Sequence, residues 1–231
     1  MESLTQYPDF THEEWETIRQ VGPYTMTSLE RIVALTRAVD HIARNRIRGD
    51  FVECGVWRGG SMMAAAITLL RNADDERTLY LYDTFEGMSA PTDVDVSVTG
   101  QNASHLIATS ERDESDHLWA YSPLQTVQAN LRATGFPPNR LRFIAGPVEE
   151  TIPMMLPGEI ALLRLDTDWY ESTLHELTHL YPLLVSGGVL IIDDYGHWKG
   201  ARKATDEYFA TLANPPLLQR VDYTARIAVK P

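Results

Sequence analysis

The chain has 231 residues with 32 acidic and 20 basic side chains, a formal net charge of −12. That balance excludes nucleic acid and an anionic membrane surface as natural partners, because phosphate recognition needs clustered basic groups. The single cysteine, Cys54, excludes an intramolecular disulfide and fits a cytoplasmic setting; no basic leader and no apolar run of about 18 residues points to export or a membrane span.

Residues 1–26 are polar and aromatic, broken at Pro8 and Pro23. Thr27-Ser28 predict a helix N-cap, and Leu29, Ile32, Val33, Leu35, Val39 and Ile42 follow at helical spacing up to about Gly49. A strand over 51–55 runs into a glycine-rich turn, then an apolar helix over 61–70 and a strand over 78–82 ending at Asp83. Segment 84–120 is the least regular stretch, too long for a simple connection and expected as an active-site lid. Its charged run, 111–117, reads as a solvated face.

A helix over 124–134, a strand over 141–144 and a short helix over 149–156, interrupted at Pro153, come next. Ile160–Leu165 reads as a buried strand ending at Asp166. A helix over 173–185 is expected to stop at Gly187-Gly188, followed by a buried strand over 189–192 ending at Asp193-Asp194. A helix over 200–212 and two late strands near 217–221 and 226–229 complete the chain. Strands alternating with helices imply right-handed crossovers and a parallel sheet covered on both faces. No repeat, linker or boundary interrupts 1–231, which reads as a single α/β domain.

Ligands in open α/β sheets bind beyond the carboxyl ends of the strands. Glu53, Gly55, Asp83, Gly146, Asp166, Asp193 and Asp194 all fall there. The run from Glu53 to Ser61 is a glycine turn feeding a helix N-terminus, but Trp57 stands where a dinucleotide fingerprint needs its second glycine, which argues against NAD. Glu53 suits a cationic group such as an amino acid ammonium. Asp83, 23 residues past Gly60, stands where nucleoside-binding folds place an acid on the ribose hydroxyls. Together the two suggest a nucleoside carrying an amino acid tail, a description that S-adenosylmethionine meets.

Asp166, Asp193 and Asp194 offer hard oxygen ligands without a thiolate, suited to Mg²⁺ above all, with Mn²⁺ or Ca²⁺ possible. Asp168 is a candidate outer neighbour. His175-Glu176-Leu177-Thr178-His179 matches a zinc-peptidase pattern, but Pro182 and Val185 stand where the extended motif needs glycine and a third histidine. That helix also links two buried strands, so the histidines are read as flank residues. Trp57, Trp169, Tyr170, Tyr195, His197 and Trp198 surround the expected pocket, either as faces for a sugar ring or as packing.

Five segments match a known family: 25–28, 51–61, 82–88, 163–173 and 193–196. Over about 24–209 the chain resembles the macrocin O-methyltransferase family, enzymes that methylate sugar hydroxyls of glycosylated natural products in antibiotic biosynthesis. The resemblance implies a class I, Rossmann-like methyltransferase fold: a mostly parallel seven-stranded sheet with helices on both faces, residues 1–50 as a helical cover, and the lid insertion. It implies S-adenosyl-L-methionine as donor, held by Thr27, Glu53, Gly55, Ser61, Asp83, Val148 and Glu149. Mg²⁺ is implied at Asp166, Asp193 and Asp194, with Asp166 as catalytic base and Asp168 and His197 in reserve. Trp169 occupies the position where some relatives carry a histidine or lysine base. The acceptor is expected to be a sugar hydroxyl, the alternative being an aromatic diol of the catechol type, and the enzyme a homodimer or larger homo-oligomer.

Overall fold

The computed structural model describes residues 6–110, 112 and 118–231. One sheet organises them, with strands β1 (Asp50–Cys54), β2 (Leu79–Asp83), β3 (Leu141–Ala145), β4 (Ile160–Leu165), β5 (Leu184–Ile192), β6 (Gln219–Arg220) and β7 (Arg226–Val229) in the order β3-β2-β1-β4-β5-β7-β6. The first five run parallel, while β7 pairs antiparallel with β5 and β6 antiparallel with β7. The direction of winding reverses between β1 and β4. Their carboxyl ends therefore open on a crevice.

The strands are buried on both sides because successive residues point to opposite faces. Phe51, Leu162, Val189 and Ile191 pack under α2 (Leu29–Arg44), α3 (Gly60–Arg71) and α5 (Leu124–Ala133). Val52, Cys54, Leu163, Leu165, Leu190 and Ile192 face α6 (Val148–Met154), α7 (Tyr170–Leu180) and α8 (Lys199–Ala210). The same alternation sends Glu53 and Arg164 to the α2–α3 side.

Two helices lie where no individual helix is predicted, one within the N-terminal cover that the resemblance implies and one within the 84–120 segment. α1 (His12–Val21) opens with a capping box in which the Thr11 hydroxyl accepts from Glu14 N and Glu14 accepts from Thr11 N. α4 (Ala103–Thr109), capped by Asn102, sits inside the 84–120 segment. Ser28 caps α2 as its sequence suggests. The charged run 111–117, apart from Arg112, lies outside the described residues.

β5 departs most from expectation. The helix before it ends at Leu180, and Tyr181–Leu183 form a 3-10 turn at Pro182, a residue that cannot continue the α-helical ladder. The strand then starts at Leu184 and runs through the glycine pair instead of starting after it. Register with β4 jumps between the Ile160–Leu184 and Leu162–Val189 pairs, so the strand bulges there. Gly187 adopts φ +80°, and a Cβ on Gly188 would lie 2.8 Å from Val185 O. Glycine lets the strand bulge without ending.

Among the described residues no helix is long and apolar enough to cross a membrane.

Candidate active site

A cavity of about 510 Å³ opens at the carboxyl ends of β1, β2, β4 and β5. Backbone continuity fixes its floor: Asp166 N donates to Cys54 O at 2.8 Å, Gly55 N to Tyr82 O at 2.9 Å and Asp193 N to Leu165 O at 2.9 Å. Thr27, Gly55, Ser61, Asp83, Val148 and Glu149 all line it. So do Asp166, Asp168, Asp193 and Asp194.

The glycine turn is shaped by close approach. Gly55 has φ +80°, and a Cβ there would lie 2.0 Å from Asp166 O. A Cβ on Gly60 would lie 2.4 Å from Tyr24 O, where the chain enters α2. Asp83 braces the turn, accepting from Val56 N at 2.6 Å, Trp57 N at 3.1 Å and Phe85 N at 2.7 Å. Burial still pushes its carboxyl above the ordinary range, against those hydrogen bonds.

Glu53 is placed differently from its expected role. It is fully buried, does not line the cavity, and accepts from Arg164 Nη1 at 2.7 Å. Arg164 also donates to Asp166 Oδ2 and Asp193 Oδ1, each at 2.7 Å. Arg31, from α2, pairs with the other Asp193 oxygen and with Asp222 at 3.0 Å. Burial lifts the Glu53 carboxyl to about 7, against the pull of Arg164. Two arginines thus sit among the acids of the floor, and sequence reasoning missed both. Arg164 left a visible signal: a charge inside the apolar strand Ile160–Leu165, two residues before Asp166 and therefore on the same face.

Asp193 lines the same cavity and is paired with both arginines. The carboxylates whose oxygens gather within 4.8 Å of one another are Asp166, Asp168 and Asp194. Asp168 reaches that position with φ +68°, a left-handed conformation that aspartate tolerates better than most residues. Burial pushes Asp166 and Asp194 well above the usual carboxylate range and lifts Asp168 to about 7. Asp194 Oδ2 is buried with no hydrogen-bond donor among the described residues. Three desolvated acids and an orphaned oxygen are a donor set that fits a hard cation.

The aromatic residues divide. Trp57, His197 and Trp198 line the cavity, joined by Tyr223 from the β6–β7 connection. Trp169 is buried and packs edge-on against Trp198 at 4.9 Å. Tyr170 and Tyr195 turn outward to Glu207 and Asp206 on α8. Burial and nearby Arg31 lower the His197 imidazole.

The His-Glu-x-x-His segment does not converge. The His175 and His179 rings lie 4.1 Å apart on the flank of α7, whereas Glu176 points inward and accepts from Thr167 Oγ1 at 2.9 Å. Burial raises Glu176 well above the ordinary carboxylate range.

A mostly parallel seven-stranded sheet with this switch point, a glycine turn and an acid-lined cavity at the carboxyl ends of its strands define a class I methyltransferase fold. The family described as macrocin-O-methyltransferase (TylF) matches residues 11–228, and the chain belongs to it. It is an O-methyltransferase. It is 34% identical over 188 residues to the 8-demethyl-8-(2,3-dimethoxy-alpha-L-rhamnosyl)-tetracenomycin-C 4'-O-methyltransferase of Streptomyces olivaceus, covering 81% of this chain and 67% of that protein. Over 185 residues it is 34% identical to the mycinamicin III 3''-O-methyltransferase of Micromonospora griseorubida, covering 80% of this chain and 70% of that one. The solved structure of the O-methyltransferase NovP superposes with a TM-score of 0.75 at 31% identity, covering 90% of this chain and 82% of the other.

Proposed function

We propose that the chain transfers a methyl group from S-adenosyl-L-methionine to a sugar hydroxyl of a glycosylated natural product, with a hard divalent cation, Mg²⁺ by its chemistry, at the carboxylate cluster. One observation carries the reading: Asp166, Asp168 and Asp194 gather at the switch point of the sheet, in the same cavity as the glycine turn. The named relatives methylate sugar-bearing antibiotic intermediates, and that supports the acceptor class over an aromatic diol.

Thr27, Gly55, Ser61, Asp83, Val148 and Glu149 would hold the donor. Asp166 and Asp194 would hold the cation, with Asp168 as the third oxygen donor in place of Asp193. A cation held there would lower the acceptor hydroxyl's pKa. The acceptor oxygen forms a bond to the methyl carbon as the carbon–sulfur bond breaks, leaving the sulfur with the electron pair. The proton passes to a carboxylate. Asp166 is paired with Arg164, so we assign that role to Asp168, which lines the same cavity without an arginine partner among the described residues. The buried Arg164 and Arg31 keep the remaining acids of the floor compensated.

Calorimetry with S-adenosylhomocysteine tests the donor half; no binding would end the reading. Methyl transfer from labelled donor to rhamnosylated aromatic aglycones, compared with simple catechols, tests the acceptor half. Turnover on catechols alone would replace the sugar acceptor with the diol. Size-exclusion chromatography with light scattering tests the homodimer that the family resemblance implies.

A further inference from the structure

Both helices that leave the aspartate loops start without a cap of their own. Trp169 stands at the N-cap of α7 and Trp198 at that of α8, and neither makes a side-chain cap hydrogen bond. A helix N-terminus needs acceptors for its free N–H groups and favours negative charge.

Asp95 answers that need from a distance. It lies between β2 and α4, fully buried. Its Oδ1 accepts from Tyr170 N, in the first turn of α7, at 2.8 Å, and its Oδ2 accepts from Thr92 N at 2.7 Å and Thr92 Oγ1 at 2.8 Å. The same Oδ1 presses on the first turn of α8, since a Cβ on Gly200 would lie 1.8 Å from it. One carboxylate therefore accepts from the first turn of α7 and packs against the first turn of α8, each a few residues after an aspartate of the cation cluster.

The surrounding segment is stitched to both loops. Trp169 Nε1 donates to Ser89 O at 3.0 Å, Lys199 N to Val96 O at 2.9 Å and Val98 N to His197 O at 2.7 Å. Met88 and Ser89, a few residues before Asp95, line the cavity.

We propose that Asp95 is a positioning residue: it fixes the spacing of the loops bearing Asp166–Asp168 and Asp194 by joining the N-termini of α7 and α8, and it pins the cavity wall at Met88-Ser89 to them. This rests on the proposed cation site for its catalytic meaning, but not for its structural one. Asp95→Ala is expected to raise amide hydrogen exchange about tenfold in 87–103 and in the first turns of α7 and α8, leaving β1 and β4 protected. Mn²⁺ affinity, measured by calorimetry on the full chain, should fall about tenfold, whereas S-adenosylhomocysteine affinity should stay within about twofold. Asp95→Asn retains an acceptor oxygen and should recover most of the Mn²⁺ affinity.

Unchanged exchange around 87–103 in a folded Asp95→Ala protein would overturn the proposal. So would a uniform rise in exchange across the sheet with parallel loss of S-adenosylhomocysteine, which marks general destabilisation. Should Asp95→Ala fail to fold, the same exchange pattern in Asp95→Asn decides. Wild-type protein that takes up no Mn²⁺ would remove the cation from the proposed function, and the exchange result would still judge Asp95.

Discussion

Arg164 Nη2 donates to Asp193 Oδ1 at 2.7 Å in the buried floor of the cavity. The same guanidinium also reaches Glu53 and Asp166, each at 2.7 Å, so it ties the floor to the open cluster. Asp193 joins Glu53 in an arginine-compensated network, and Asp194 turns to Asp166 and Asp168.

Replacing Arg164 by Met should leave Glu53 and Asp193 buried beside a lost partner. Removing one member of a buried ion pair costs about 3–5 kcal/mol, readable as a fall in the urea midpoint. Adding Glu53→Gln to that variant should recover part of the loss. Equal stability of single variant and parent would show the network to be idle.

The proton-transfer assignment separates two residues of the same cavity. Asp168→Asn should lower turnover by about 10²-fold or more, while His197→Gln costs less than about tenfold. Steady-state methyl transfer on an accepted glycoside measures both. The reverse order would move the base to His197.

Glu53 and Asp168 are each lifted by burial to about 7. From the ordinary carboxylate range up to about 7, the folded chain therefore holds more protons than the unfolded one. Cation-free protein should lose stability as pH rises through that window and gain it as pH falls. Cation uptake near pH 6 should release protons, because the ligands must ionise. Calorimetric enthalpies in two buffers of different ionisation heat read that release. Equal enthalpies would place the cation elsewhere.

Gly55→Ala tests the close approach of β1 to the loop after β4. The added Cβ would meet Asp166 O at 2.0 Å in a φ of +80°. A loss above about 2 kcal/mol is expected from strain and clash together, with S-adenosylhomocysteine binding abolished. Gly135→Ala is the control: that glycine is also at positive φ, but nothing lies within 4 Å of an added methyl group, so only the backbone strain should be felt.

Much of the fold was legible because its signals are local. The Thr27-Ser28 cap, the apolar runs at 51–54 and 160–165, and the aspartates that end them follow from hydrogen-bond geometry and burial of a two-sided parallel strand. The bounds of α1 inside the expected helical cover, and the whole of α4, escaped because their first turns carry polar residues and their apolar stripes are thin. The start of β5 escaped because a glycine pair normally ends an element, and here a bulge carries the strand through it.

The sequence by itself determined the α/β order, the strand-end acids and, through five matched segments, the family. Tertiary structure alone decided how those acids are shared. Charge compensation acts between residues far apart in the chain: Arg31 from α2 and Arg164 from β4 take Asp193 and Glu53, whereas Asp168 enters the open cluster through a left-handed turn. Residue order shows which charges exist, and only packing shows which of them lie close enough in low dielectric to neutralise one another.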